Sequence, residues 1–186
     1  MLYDFAMPAD FLSQTTQRVT SHVTSLAERI RRNHALEHAT LHMLAERNPN
    51  LSGAGRAQHN GFYLYGNVEM EQIAWAADEA IKRMCAGQSR LAIHPGCGTN
   101  LVTSGFLTGG LALLMARLTG KRARWYEQLT GAILGGLVGS FLAVPLGPWM
   151  QANVTTSANM RGVSVRAIRR SNLGRLQGYF VETEIL

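Results

Sequence analysis

Charged side chains are scarce: Asp, Glu, Lys and Arg make up 16% of the 186 residues, against 46% hydrophobic. A soluble domain ordinarily carries about a quarter, so part of this chain is unusually apolar. Charge is missing altogether from 129–150 and, before Arg117, from 99–118. Each run is about 20 residues, enough to cross a hydrocarbon core about 30 Å thick. Trp125, Tyr126 and Trp149 fall at the ends of the runs, where amphipathic rings favour an interface. Gly105, Gly109, Gly110, Gly131, Gly135, Gly136, Gly139 and Ser140 would let two backbones approach closely. The pattern predicts a transmembrane hairpin, with Pro145 tolerated near the end of its second span.

Other absences narrow the function. Cysteine is nearly missing, and two thiols, Cys85 and Cys97, make no disulfide scaffold. Neither span contains a histidine, which excludes a haem or pigment held there by an axial imidazole. The net charge of +6 comes without a nucleic-acid-binding motif and gathers beside the apolar runs, where basic residues meet anionic headgroups. Membrane lipid, not nucleic acid, is the expected partner. There is no internal repeat, and no basic n-region precedes Asp10, so the N-terminal part is expected to stay in the cytoplasm. Lys82, Arg83, Arg90, Arg161, Arg166, Arg169 and Arg170 flank the hairpin, against Lys121, Arg122 and Arg124 in its loop. Seven against three predicts an integral protein of the cytoplasmic membrane with both termini cytoplasmic.

What is present is a concentration of histidine. The segment His34-Ala-Leu-Glu37-His38-Ala-Thr-Leu-His42 writes H-x-x-E-H into a stretch of helical character. Residues four apart share a helix face with Cβ atoms about 5–6 Å apart, so His34 and His38 can grip one ion. Glu37 stands beside them, placed to take a proton from a water without ligating. His42 lies about 12 Å along the axis from His34, too far to join the same tetrahedral site. A catalytic zinc takes three protein ligands and keeps one position open. The turn His94-Pro-Gly-Cys97-Gly-Thr-Asn offers a nitrogen and a sulfur, so Cys97 or His94 supplies the third; Glu69, Glu71 and Glu79 compete for the role.

Around these residues the expected fold is α+β. Val19, Val23, Leu26 and Ile30 mark an amphipathic helix from about Thr16 into the histidine segment, stopping by Pro49. A Gly-rich loop over 52–61 follows, then a strand at Phe62–Tyr65, a helix over 68–85 and a second strand at Arg90–Ile93, a β-α-β unit. After the hairpin, 163–168 and 179–184 alternate as two strands joined by a loop around Asn172 and Gly174. The organisation is thus a region over 1–98, the apolar hairpin over 99–150, and a C-terminal β-hairpin over 151–186 that completes the soluble part.

With H-A-L-E-H-A-T-L-H, G-F-Y-L-Y-G, A-I-H-P-G-C-G-T-N-L-V-T and P-L-G-P-W-M-Q in place, the chain resembles a family of bacterial membrane proteins known as a domain of unknown function, over Arg31 to Val181. That resemblance implies location and architecture. A second, to the pitrilysin and insulysin peptidases, rests on His34, Glu37 and His38 and implies their local roles alone: two metal ligands and a general base. The expectation is a membrane-anchored zinc hydrolase, a metallopeptidase acting on a peptide or membrane protein, with His34, His38 and Cys97 or His94 as ligands and Glu37 as catalytic base. The alternative is a non-catalytic accessory or assembly subunit whose Gly-rich hairpin docks against partner helices or a second copy.

Overall fold

A computed structural model describes residues 9–120, 123–172 and 177–185, with the side chains of the first helix described from Ser25 onward. The elements are α1 (Ala9–Arg47), β1 (Gly53–Gln58), β2 (Gly61–Gly66), α2 (Met70–Cys85), a 3-10 turn (Ser89–Ala92), α3 (Gly98–Leu118), α4 (Trp125–Met150) with a π turn (Gln151–Thr155), β3 (Val163–Arg170) and β4 (Gly178–Ile185). The four strands make one antiparallel sheet in the order β1-β2-β4-β3. Strands from before and after the apolar helices therefore share a sheet, and α1 and α2 pack with it around Leu36, Met43, Phe62, Ile73 and Val181, all at most 2% exposed.

α1 runs unbroken as 39 residues and stops two short of Pro49, as a residue before proline is pushed out of the helical region. Its buried stripe is Ala35, Leu36, Ala39 and Met43, not the row expected farther upstream: Ile30 is exposed, and the side chains of Val19 and Val23 lie outside the described residues. α2 starts at a capping box in which the Glu69 N–H donates to the Gln72 side chain at 3.2 Å. It buries Ile73, Ala76, Ala77, Ala80 and Met84 as the 3.6 period requires.

Two expectations fail. Arg90–Ile93 is not a strand and there is no β-α-β unit among the described residues; Ser89–Ala92 is a 3-10 turn. The carbonyls of Ala92 and Ile93 turn toward α1, where histidines bond them, so no sheet ladder can use them. The Gly-rich stretch expected as a loop is instead β1, closed onto β2 by a two-residue turn at His59 and Asn60. Its glycines are where the strand crosses α1 at close range.

α3 and α4 are long and apolar enough to cross a membrane. They are organised inside out. α3 buries no residue, and α4 buries Gly131, Gly135, Gly139, Ala143 and Gly147, one small residue per turn, while Leu101, Phe106 and Phe141 are 77–79% exposed. A Cβ at Gly135 would overlap the Leu111 carbonyl, and one at Gly139 the Leu107 carbonyl, so the two backbones meet where side chains are missing. Gly105, Gly109 and Gly110 on α3 face open space and take no part in that seam. Lys121, Arg122 and Gly174 lie outside the described residues.

Candidate metal centre

His34, His38 and His42 project from one face of α1 and each bonds a backbone carbonyl. His34 Nδ1 lies 2.9 Å from Thr155 O, at the π turn that ends α4. His38 Nδ1 lies 2.7 Å from Ala92 O, and His42 Nε2 lies 2.9 Å from Ile93 O. A carbonyl only accepts, so the bonded nitrogen must carry the proton. His34 and His38 are thereby held with Nε2 as the available donor atom, their rings 4.4 Å apart. His42 is held the opposite way round and stays out of the group, in line with its distance along the helix.

Cys97 closes the group. It caps α3, accepting from the Thr99 N–H at 3.4 Å, and its Sγ lies 3.4 Å from His34 Nε2. One ligand atom from each of His34, His38 and Cys97 falls within 4.8 Å of the others, a set that can hold a metal ion. Two imidazole nitrogens and a thiolate are the donor chemistry of zinc sites, with bonds of about 2.0–2.3 Å.

The charges are tuned to match. Burial pushes the Cys97 thiol up, but hydrogen bonds from His34, His38 and Thr99 outweigh it and bring it down to about 5. His34 is depressed by burial, yet its bonds to Cys97 and Thr155 leave it raised overall. With Nδ1 on the Thr155 carbonyl, the Nε2 of His34 is the ring atom that faces the Cys97 sulfur. Glu37 is 5% exposed, and burial lifts its carboxyl to about 7, against the partial opposition of His38 and His34. An acid with that affinity is suited to exchange protons near neutrality.

The group opens into a pocket of about 170 Å³ between Gly53, Ala54 and Gly55 of β1 and His94, Gly96 and Cys97 of the turn. Glu37 reaches under β1 because Gly55 has no side chain: a Cβ there would overlap the carboxyl. His94 lines the pocket but faces a different task. Its Nδ1 accepts from the Gly96 N–H at 3.1 Å, its ring sits 5.6 Å from His38 and 5.0 Å from His42, and burial with these neighbours lowers its pKa to about 4. Of the two candidate third ligands, Cys97 joins the group and His94 does not. Glu69 caps α2 and Glu79 pairs with Arg83 at 2.8 Å; neither these nor Glu71 belongs to it. His59 is exposed in the β1–β2 turn.

Several residues that fix the centre were given no role by the sequence. Gln151, fully buried at the π turn, accepts from the His94 N–H at 2.9 Å and donates to Asn100 Oδ1 at 2.7 Å, tying the turn to α4. Asn33 donates to Gln58 O at 2.8 Å and accepts from Thr183 at 2.7 Å, locking α1 to β1 and β4. Arg31 donates to the carbonyls of Asn153 and Thr156 at 3.2 and 3.1 Å. The one sequence signal was position: Asn33, Glu37 and Leu41 recur every fourth residue beside the histidines.

A family model described as a domain of unknown function, DUF6391, matches residues 29–168. An uncharacterised protein of the cyanobacterium Picosynechococcus is 38% identical over 139 residues, covering 69% of this chain and 66% of that protein, just under two thirds of its length. No solved structure matches.

Proposed function

The chain belongs to the DUF6391 family, and from the chemistry of its centre we propose a membrane-anchored, zinc-dependent hydrolase, a metallopeptidase. The observation that carries the reading is the convergence of His34, His38 and Cys97 beside a buried carboxyl held near neutral affinity. The donor set favours zinc: nitrogen and thiolate ligands suit a borderline-soft ion, and three protein ligands leave a position for water.

A bound zinc ion would supply a polarised water and Lewis-acid stabilisation of the substrate carbonyl. The Thr155 and Ala92 carbonyls hold His34 and His38 in the ligating tautomer. Glu37 takes the water's proton and passes it to the leaving group, shielded from bulk water under Gly55. α3 and α4 act as the anchor, their exposed apolar faces against lipid, with the centre just outside the end of α3 and both termini cytoplasmic. A membrane-bound peptide or protein would meet the centre at the bilayer surface.

The exposed flanks of the helical pair also favour a second reading, a non-catalytic subunit docked through them to partner helices or to a second copy. Elemental analysis of detergent-purified protein separates the two. About one zinc per chain is expected, with Glu37→Gln keeping the metal and losing peptide hydrolysis by about 10²–10⁴-fold. Metal-free, folded protein with a His34→Ala, His38→Ala variant fully functional in cells would favour the subunit.

A further inference from the structure

β1 is the outer strand of its sheet. Gln58 and Gly61 flank the two-residue turn and form a hydrogen-bonded pair, so the pairs Arg56–Tyr63 and Ala54–Tyr65 bond in turn. Gly53, Gly55 and Ala57 therefore aim their N–H and C=O groups away from β2. The far side of β2 has the same phase, since the Gly66 N–H donates to Gln177 O at 3.1 Å. Among the described residues no hydrogen bond reaches the outward peptide groups of Gly53 or Gly55.

Two of these open peptide groups form a wall of the pocket that holds Glu37 and the ligand group. An unpaired strand edge is a template for another strand. We propose that an extended peptide segment adds to the free edge of β1, hydrogen-bonding Gly53, Gly55 and Ala57, so that its scissile amide lies in the pocket over Glu37. The inference rests on the hydrolase reading and names its substrate class: unfolded polypeptide, recognised by backbone more than by sequence. In the reaction a water oxygen bonds to the amide carbon and the C–N bond breaks. Both water protons pass in turn through Glu37 to the leaving nitrogen, giving a carboxylate and an ammonium group with no redox change. A folded or helical segment cannot offer the alternating N–H and C=O groups that the edge requires.

The test uses full-length, zinc-loaded protein in detergent and a pool of fluorescein-labelled random ten-residue peptides. Binding is read by anisotropy, with Glu37→Gln used to prevent turnover, and the best-retained peptide is then N-methylated one amide at a time. Expected are losses of at least tenfold in binding at alternate amides and little effect between them. Gly53→Pro, which removes one outward N–H and leaves Glu37 and the ligands in place, should weaken binding at least tenfold at unchanged zinc content and circular dichroism. The methylation series needs no variant, so it decides the matter even if Gly53→Pro fails to fold. A flat methylation profile overturns edge pairing. So does the absence of retained peptide, and turnover of a small chromogenic ester in that case would leave the hydrolase reading standing.

Discussion

The histidine face of α1 and the seam between α3 and α4 solve opposite problems with the same helical spacing. On α1, every fourth residue from His34 carries an imidazole that must find a partner in the interior, and each does: His34 on Thr155 O, His38 on Ala92 O, His42 on Ile93 O, with Asn33 beside them on Gln58 O. On α4, every fourth residue has almost no side chain, and what fits is the backbone of α3. The first surface is specified by hydrogen bonds and binds other elements at single points. The second is specified by absence and tolerates contact along its length. Each surface should therefore fail in its own way when altered.

The sharpest break is at the ligands. Structural zinc in small peptides contributes roughly 10–16 kcal/mol from four ligands, so removing one is worth about 2.5–4 kcal/mol. His38→Ala or Cys97→Ala should thus weaken zinc affinity by roughly two to three orders of magnitude in competition with a chromogenic chelator. The α3–α4 pairing should remain intact, as read by cross-linking between the two helices.

Next comes Glu37 itself. Its folded affinity near 7 lies above the ordinary 4.5, so the folded state favours the neutral acid. That contribution is complete below about pH 4.5 and is lost as pH rises through about 7. With zinc chelated, Glu37→Gln should be more stable than the wild type at pH 8, by up to about 3 kcal/mol, and equal to it at pH 4, as followed by thermal unfolding. An equal gain at both pH values would show that the carboxyl is not held up by burial.

The smallest effect belongs to the seam, and it carries its own control. Gly135→Leu meets the Leu111 carbonyl, whereas Gly110→Leu meets open space. The first should cost about 1–3 kcal/mol in unfolding from detergent or weaken the helical pairing, and the second should be near neutral. Neither should change zinc content. Equal effects of the two would remove the contrast between the seam face of α4 and the open face of α3.

The comparison also explains what was legible. The H-x-x-E-H spacing and the two apolar runs are local patterns, so the helix positions of His34, Glu37 and His38, the extent of α3 and most of α4 followed from counting residues, while α4 begins four residues before its uncharged run, at Trp125. β1 was misread because Gly53 and Gly55 look like loop residues, while their task is to let a strand lie on Glu37 and Leu41. Arg90–Ile93 was misread because a short apolar run says nothing about where its carbonyls point.

The sequence alone determined which side chains are four apart, which stretches lack charge, and that imidazole, thiol and carboxyl groups exist in sufficient supply for a metal. Tertiary structure decided that Cys97 and not His94 meets His34 and His38, that Gln151 steadies the turn, and that Glu37 is buried under a glycine of β1. The reason is physical. Periodicity fixes directions along one helix, whereas the choice among donors 60 residues away depends on which hydrogen bonds the packed backbone leaves unmade.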